Sequence, residues 1–456
     1  MGFFKAYDMR GTYGVDFDLP TVYRIGRALP QVVGGTRWLI GRDARVSSDA
    51  VRRALIRGLR AAGVEVFDLG RVTTPMVYFF TAEENFDGSV MITASHNPPR
   101  DNGLKVSRRG ALPVGYADGL NQVEALVASD TTPVPDDLET RETEGVTFLS
   151  ALPRYLAWQK ARAFETGTLK LIVDCSNGMA GLFAAEMFPH ATILNETIDG
   201  TFPAHAPNPL VAEAREQLAA RVRAEGADVG VIFDGDADRA MFVDEKGDFV
   251  QPDYLIPIVA RALVRKDPTQ QKAPVIHDVR TSRGAIETLV ADGFKPQMVP
   301  VGHAFAKPAL RESGAFCGGE LAGHYYFKSF FGCDSGLLAA LAVLDEVARA
   351  KAAGLTFSQL MAPILSRYAN SGERNFRVAD KSAAIQRVLA TAAQLGVETG
   401  RETMDGVRLE FADGWINVRP SNTEPYLRLI VEARTAAQLA ARLAALTAAI
   451  EGKASL

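Results

Sequence analysis

Ser95 closes the run Met91-Ile92-Thr93-Ala94-Ser95-His96-Asn97-Pro98, in which an apolar segment gives way to hydroxyl, imidazole and amide side chains. Val90, Met91 and Ile92, led by Gly88, read as a short buried strand. Pro98 and Pro99 remove two backbone donors and bias the residue before each toward extended or turn geometry, so the serine is expected on a rigid loop at a strand end. A hydroxyl beside His96 suits either a nucleophile paired with a base or a phosphate acceptor, and an ordinary Ser/Asn turn would look the same.

Three further stretches carry chemistry. In Val231-Ile232-Phe233-Asp234-Gly235-Asp236-Ala237-Asp238-Arg239, three aspartates alternate directly after an apolar run. Such crowding is costly unless a cation neutralises it, and oxygen-only ligands favour a hard divalent ion, Mg²⁺ or Ca²⁺. A calcium EF-hand is excluded because Arg239 stands where that loop needs glycine and strand-like runs flank it. Gly318-Gly319-Glu320-Leu321-Ala322-Gly323-His324 offers a carboxylate and an imidazole, which suit hydrogen bonding to hydroxyls and proton transfer. Val418-Arg419-Pro420-Ser421-Asn422-Thr423-Glu424-Pro425 sets an arginine fork, two hydroxyls and an amide around a rigid turn, a combination that cradles phosphate. A metal beside a serine, with a phosphate cradle elsewhere, points to phosphoryl transfer on a hydroxyl-rich ligand.

The elements that must hold these stretches follow a repeating plan. Trp38 to Asp43 is an apolar strand ending in Asp, followed by a helical pattern from Asp49 to Ala62 and a second strand, Val64 to Leu69. The plan returns at Leu171 to Ser176, leading to Thr192-Ile193-Leu194, and at Val275 to Arg280, leading to Met298-Val299. Three such units suggest three related α/β domains in tandem. Polar, proline-bearing stretches at 131–144 and 265–273 divide the chain into domains expected at 1–147, 148–264, 265–367 and 368–456. The last alternates short strands with an Ala/Leu-rich closing helix, Thr435 to Ile450, as a small α+β domain does.

Fifty basic against 54 acidic side chains give a net charge of −4, so no basic excess points to nucleic acid or an anionic membrane. Three cysteines without a CxxC pair argue against a disulfide framework and for a reducing cytoplasm. With no apolar leader and no apolar run of spanning length, a soluble, unprocessed chain is expected.

The four stretches, in this order and over essentially the whole length, resemble the α-D-phosphohexomutase family, and the resemblance is closest to its phosphomannomutase/phosphoglucomutases. It implies three mixed α/β domains and one related to the TATA-binding-protein fold around a central cleft. It implies that Ser95 is carried as phosphoserine, that Asp234, Asp236, Asp238 and the phosphoserine hold Mg²⁺, and that the Glu320 to His324 loop reads the sugar. Arg419, Ser421, Asn422 and Thr423 would clamp the phosphate that is not reacting. Tyr7, Arg10, Lys105, Arg239, Arg280 and His303 match further contact positions, and Lys105 and His324 are the proton-handling candidates, with a lowered lysine pKa needed for a base. The implied reaction moves phosphate between C6 and C1 of a hexose phosphate through a hexose 1,6-bisphosphate, in a cytoplasmic monomer or homodimer.

Phe233 and Leu321 stand where the phosphoglucosamine branch tends to have cysteine and glutamine, which disfavours that alternative. A catalytically silent sugar-phosphate binder is disfavoured by the intact Ser95 and aspartates. One departure is Ala322, where the family usually has serine.

Overall fold

The computed structural model describes residues 2–139, 144–167, 169–421 and 426–452. Within them the chain builds four sheets in sequence order. The first has seven strands. Arg37–Arg42 lies at its centre between parallel neighbours Glu65–Arg71 and Gly88–Ile92, the latter pairs antiparallel with Asp101–Arg108, and Met9–Thr12 forms an edge.

The second and third sheets repeat this core. Leu171–Asp174 pairs parallel with Thr192–Leu194 and Val229–Phe233, and Val229–Phe233 turns back antiparallel into Ala240–Asp244. Pro274–Asp278 pairs parallel with Lys295–Val299 and Cys317–Gly319, and Cys317–Gly319 turns back into Tyr325–Phe327. The tandem repeat expected from the sequence is therefore real. It also has a consequence that sequence similarity does not reveal. The loop with Ser95, the loop with the three aspartates and the Glu320 loop are topologically the same loop, each joining the last parallel strand to its antiparallel partner.

The fourth sheet is wholly antiparallel, with two helices, Lys381–Ala392 and Ala436–Glu451, packed together against its own core of Leu409, Ile416, Leu427 and Leu446. Together the four sheets make the four-domain α/β fold expected, with the α+β domain last.

Two buried helices fix how the first three domains meet. Thr74–Glu83 is buried around its whole circumference in its first two turns, where six apolar residues run from Pro75 to Phe80, so it has no face for water and sits inside the molecule. Its Phe79 ring packs edge-on to Tyr155 and parallel to Phe330, joining the first three domains at one aromatic cluster. Gly336–Ala352, capped by Ser335, runs from the third domain across the second sheet.

Helix Ile256–Lys266 packs on Gly336–Ala352 and on Cys317–Gly319, so it travels with the third sheet. The boundary expected at 264 falls inside it, because Arg265 and Lys266 are the basic last turn of a helix and not the start of a linker. All three cysteines are buried free thiols. Among the described residues no helix is long and apolar enough to cross a membrane.

Candidate active site

Strand Gly88–Ile92 is buried at every position and delivers Ser95 just past its end. Ser95 is buried and has φ +50°, a left-handed conformation uncommon for a non-glycine residue and concentrated at functional sites. Its N–H donates to Thr93 Oγ1 at 2.8 Å and its hydroxyl donates to Asp234 Oδ2 at 2.8 Å. His96 Nδ1 lies 3.2 Å from the same hydroxyl. Burial, with Arg239 and Arg10 nearby, holds that imidazole well below its ordinary pKa.

Asp234, Asp236 and Asp238 are all buried, and each offers an oxygen within 4.8 Å of the others. Asp236 Oδ1 and Asp238 Oδ1 are buried without a hydrogen-bond partner among the described residues. Orphaned, crowded carboxylate oxygens are what a hard cation satisfies, so the cluster is able to bind a metal ion. Burial and the two neighbouring carboxylates push Asp234 well above the usual range. Asp236 is also buried, yet the Lys105 ammonium and the Thr74 hydroxyl hold it below that range. Thr74 is the first residue of helix Thr74–Glu83, whose positive end thus faces the acidic loop.

Lys105 Nζ donates to Asp236 Oδ2 at 2.7 Å and to Asp238 Oδ2 at 2.6 Å. Burial works against its charge, but the two carboxylates more than offset that and raise its pKa above an ordinary lysine. With both carboxylates on it, the shift runs opposite to the lowering that a lysine base needs.

Arg239 joins this cluster to the third domain. Its Nε lies 3.6 Å from Asp234 Oδ2, its Nη1 donates to Ala322 O at 3.4 Å, and its backbone bridges that of His324. His324 Nδ1 lies 2.7 Å from Asp334 Oδ2 and 3.7 Å from Asp238 Oδ1. Despite burial, Lys307, whose Nζ is 2.8 Å from Asp334 Oδ1, together with His324 keeps Asp334 well below the usual carboxylate range. His303 stands beside His324, with ring centroids 6.1 Å apart, and its pKa is depressed by burial and by Lys307. Tyr7 packs against His303 and donates to Val301 O at 3.0 Å. Arg10 pairs with Asp8 and donates to Asn97 Oδ1 at 3.1 Å, so it belongs to the serine loop.

On the other side, Glu320 Oε1 accepts from the Tyr326 hydroxyl at 2.6 Å, and Oε2 lies 3.7 Å from Arg280 Nη2. Burial pushes Glu320 up. Arg280, Arg419 and Arg428 converge on Glu373 at 3.6, 3.0 and 3.1 Å, and these cations bring its pKa, against burial, down to about 2. Ser421 is buried just past strand Gly414–Pro420; Asn422 and Thr423 lie outside the described residues. The chain of contacts from Ser95 through the aspartates, Arg239 and the Glu320 loop to Arg280 and Arg419 links all four domains.

Family models covering the four domains of phosphoglucomutase/phosphomannomutase match residues 1–133, 148–247, 251–368 and 373–449. The chain belongs to the phosphoglucomutase/phosphomannomutase family. It is thus a phosphohexomutase, an enzyme of the isomerase class. A phosphomannomutase of Salmonella montevideo is 37% identical, with 94% of each chain covered. Phosphohexose mutases of Xanthomonas campestris pv. campestris are 37% identical over 96% of each. A solved phosphoglucomutase/phosphomannomutase family protein from Burkholderia thailandensis superposes with a TM-score of 0.82 at 31% identity, covering 99% of this chain and 97% of that one.

Within this mutase site, Thr74, Lys307 and Glu373 were not singled out by sequence. Asp334 sits in Cys333-Asp334-Ser335-Gly336, a run that resembles the phosphomannomutases, but nothing local shows that it faces His324. The others carry no local signal, since their partners lie 27 to 162 positions away.

Proposed function

We propose that the chain is a Mg²⁺-dependent phosphomannomutase that also handles glucose phosphates, moving a phosphoryl group between C6 and C1 through phosphorylated Ser95. The observation that carries this reading is the 2.8 Å contact between the Ser95 hydroxyl and Asp234 within three converging carboxylates. The naming of its similar relatives as phosphomannomutases supports the sugar. Asp234, Asp236, Asp238 and the phosphoserine would hold Mg²⁺, which when bound offsets charge on the phosphate being transferred.

The residues of the chain do the rest. Ser95 surrenders its phosphoryl group to a sugar hydroxyl, the bisphosphate turns in the cleft, and Ser95 takes back the other phosphate. His324, whose Nδ1 lies beside Asp334 Oδ2, would accept the proton of the attacking hydroxyl at Nε2. Lys105, bonded to Asp236 and Asp238, is a proton-handling group or a charge partner for the phosphate. His96 beside the Ser95 oxygen is a second proton acceptor. Glu320 accepts from sugar hydroxyls, while Arg280, Arg419, Ser421, Asn422 and Thr423 hold the distal phosphate and Tyr7, Arg10 and His303 line the approach.

A coupled assay comparing mannose 1-phosphate, glucose 1-phosphate and glucosamine 1-phosphate, with a catalytic amount of the matching bisphosphate, tests the reading. The two hexose phosphates should be turned over and glucosamine 1-phosphate much more slowly. Ser95→Ala should abolish turnover while the fold persists, and intact mass should find one phosphate on the wild type only. Prolonged EDTA treatment should also abolish turnover, with Mg²⁺ restoring it. Full activity in the alanine variant would sink the covalent route, and full activity after chelation the metal.

A further inference from the structure

Arg45 belongs to none of the four chemical stretches, yet its side chain is wholly sealed from water. A guanidinium has five N–H donors, and here each finds one acceptor. Nε donates to Asp43 Oδ2 at 3.1 Å, Nη1 to Pro98 O at 2.6 Å and Asp101 O at 2.8 Å, and Nη2 to Ser95 O at 2.8 Å and Asn97 O at 2.7 Å. Four of the five are backbone carbonyls of the loop that carries Ser95. Asp43 is itself fixed, accepting from Arg45 N and Ser48 Oγ while its own N–H donates to Ile92 O at the end of the serine's strand.

The second domain is seated on this arrangement. The Phe202 ring lies 5.1 Å from Arg45 Cζ. A Cβ on Gly200 would come within 2.0 Å of Ala44 O, and one on Gly235, inside the aspartate loop, within 2.6 Å of Ser95 O. The height of the Ser95 backbone therefore sets how the hydroxyl meets Asp234.

The repeat supplies an independent comparison. In each of the first three domains an Asp ends or directly follows the first central strand, and Oδ1 of that Asp accepts from the backbone N–H two residues on: Arg45, Ser176 and Arg280. That second residue reaches in each case toward the chemical loop of its own domain. Ser176 Oγ donates to Phe233 O, one residue before Asp234, and Arg280 approaches Glu320. The brace is a recurring device, and only in the first domain does it take hold of four loop carbonyls.

We propose that Arg45 is the positioning residue of the phosphoryl-carrying loop, holding the left-handed Ser95 backbone at the height where its oxygen can exchange phosphate beside Asp234, without touching substrate. This rests on the reading of Ser95 as the carrier. A lysine, with three donors at most and no planar fork, cannot replace it.

Arg45→Lys and Arg45→Ala are expected to lower kcat about 100-fold, the cost of a roughly 1 Å misplacement, with KM changed less than about threefold because Glu320 and Arg419 sit in other domains. Uptake of phosphate onto Ser95 from glucose 1,6-bisphosphate, followed by intact mass, should slow by the same factor. Added guanidinium should restore part of the activity of the alanine variant. If the alanine variant does not fold, the lysine variant, which keeps a cation beside Asp43, decides. A folded lysine variant with wild-type kcat and uptake rate, or with a raised KM and unchanged kcat, overturns the proposal. If wild-type Ser95 takes up no phosphate while the Ser95→Ala variant still turns over, it is the reading of the carrier that fails, and the proposal with it.

Discussion

At Ala322 the side chain is a half-buried methyl, and the backbone carbonyl is the group engaged, accepting from Arg239 Nη1. A serine there would add one neutral hydrogen bond to a sugar, worth about 0.5–1.5 kcal/mol, or about two- to tenfold in binding. Glu320 is different, because its removal leaves the buried Tyr326 hydroxyl and Arg280 facing a gap. Ala322→Ser should therefore raise kcat/KM by no more than about tenfold, whereas Glu320→Ala should lower it on the order of a hundredfold. Neither change should strongly reverse preference between mannose and glucose 1-phosphates, which steady-state kinetics on both would check; a switch of sugar or a dead Ala322→Ser variant contradicts the placement of the loop. What could be read from sequence at this scale was chemistry concentrated in short runs: Ser95 with His96, the alternating aspartates, Glu320 with His324. Arg45 and Glu373 escaped because a lone arginine or carboxylate has meaning only through partners brought up by folding. The charge state of Lys105 escaped for the same reason, being set by Asp236 and Asp238 more than 130 positions away.

The strand-Asp turn that recurs in three domains is also a stability device. In the third domain it rests on Asp253, from the turn Pro252–Leu255, whose Oδ2 accepts from Ser282 N at 2.8 Å and whose Oδ1 accepts from Gln251 Nε2 at 2.9 Å. Asp253 is fully buried, and burial, with Asp278 and Glu432 adding repulsion, raises its pKa to about 7. Its folded pKa lies above its unfolded value near 3.8, so between about pH 4 and 7 the folded chain holds a proton that the unfolded chain has released. Stability must fall as pH rises through that window, by about 4 kcal/mol at most at 1.36 kcal/mol per unit, and the penalty is complete above pH 7. Asp253→Asn removes the titration. Denaturant titrations at pH 4.5 and pH 8 should show the variant gaining on wild type by up to about 3 kcal/mol between the two, since every other group cancels in the difference. An unchanged difference would mean that Asp253 is not held protonated. The pattern of strand, Asp and helix was legible because it is local, but the equivalence of the three site loops was not, because it lies in strand order and direction.

Across the whole molecule the joints are unequal. The first three domains share one continuous apolar core, including the cluster around Phe79. The fourth meets the third mainly through polar groups. Arg408, buried over the Trp415 ring, donates from Nη1 to Val279 O at 2.6 Å and Thr281 O at 2.9 Å, and Arg283 donates from Nη2 to Phe411 O at 2.8 Å and Gly414 O at 2.9 Å. One small apolar contact, Leu321 with Trp415 and Ile430, accompanies them. None of this was legible beforehand, since the pairs span 127 to 131 positions and the residues sit on unremarkable strands. Polar interfaces of this kind permit relative domain motion, which the proposed turning of a bisphosphate would require. Arg408 is the most buried of these ties and holds the strand next to Arg419 against the turn that carries Arg280. Arg408→Met keeps an apolar stem over Trp415 but leaves the Val279 and Thr281 carbonyls without their charged donor, at a cost of about 2–4 kcal/mol. That loss falls on the fourth domain, whose core is separate from that of the other three. Calorimetry should therefore resolve a new, lower transition for the fourth domain, with the main transition nearly unmoved. Because the proposed phosphate cradle takes Arg280 from one side of the joint and Arg419 from the other, KM for the hexose phosphate should rise about tenfold while kcat falls less. A single transition at the wild-type temperature with an unchanged KM would show that the joint does not depend on Arg408.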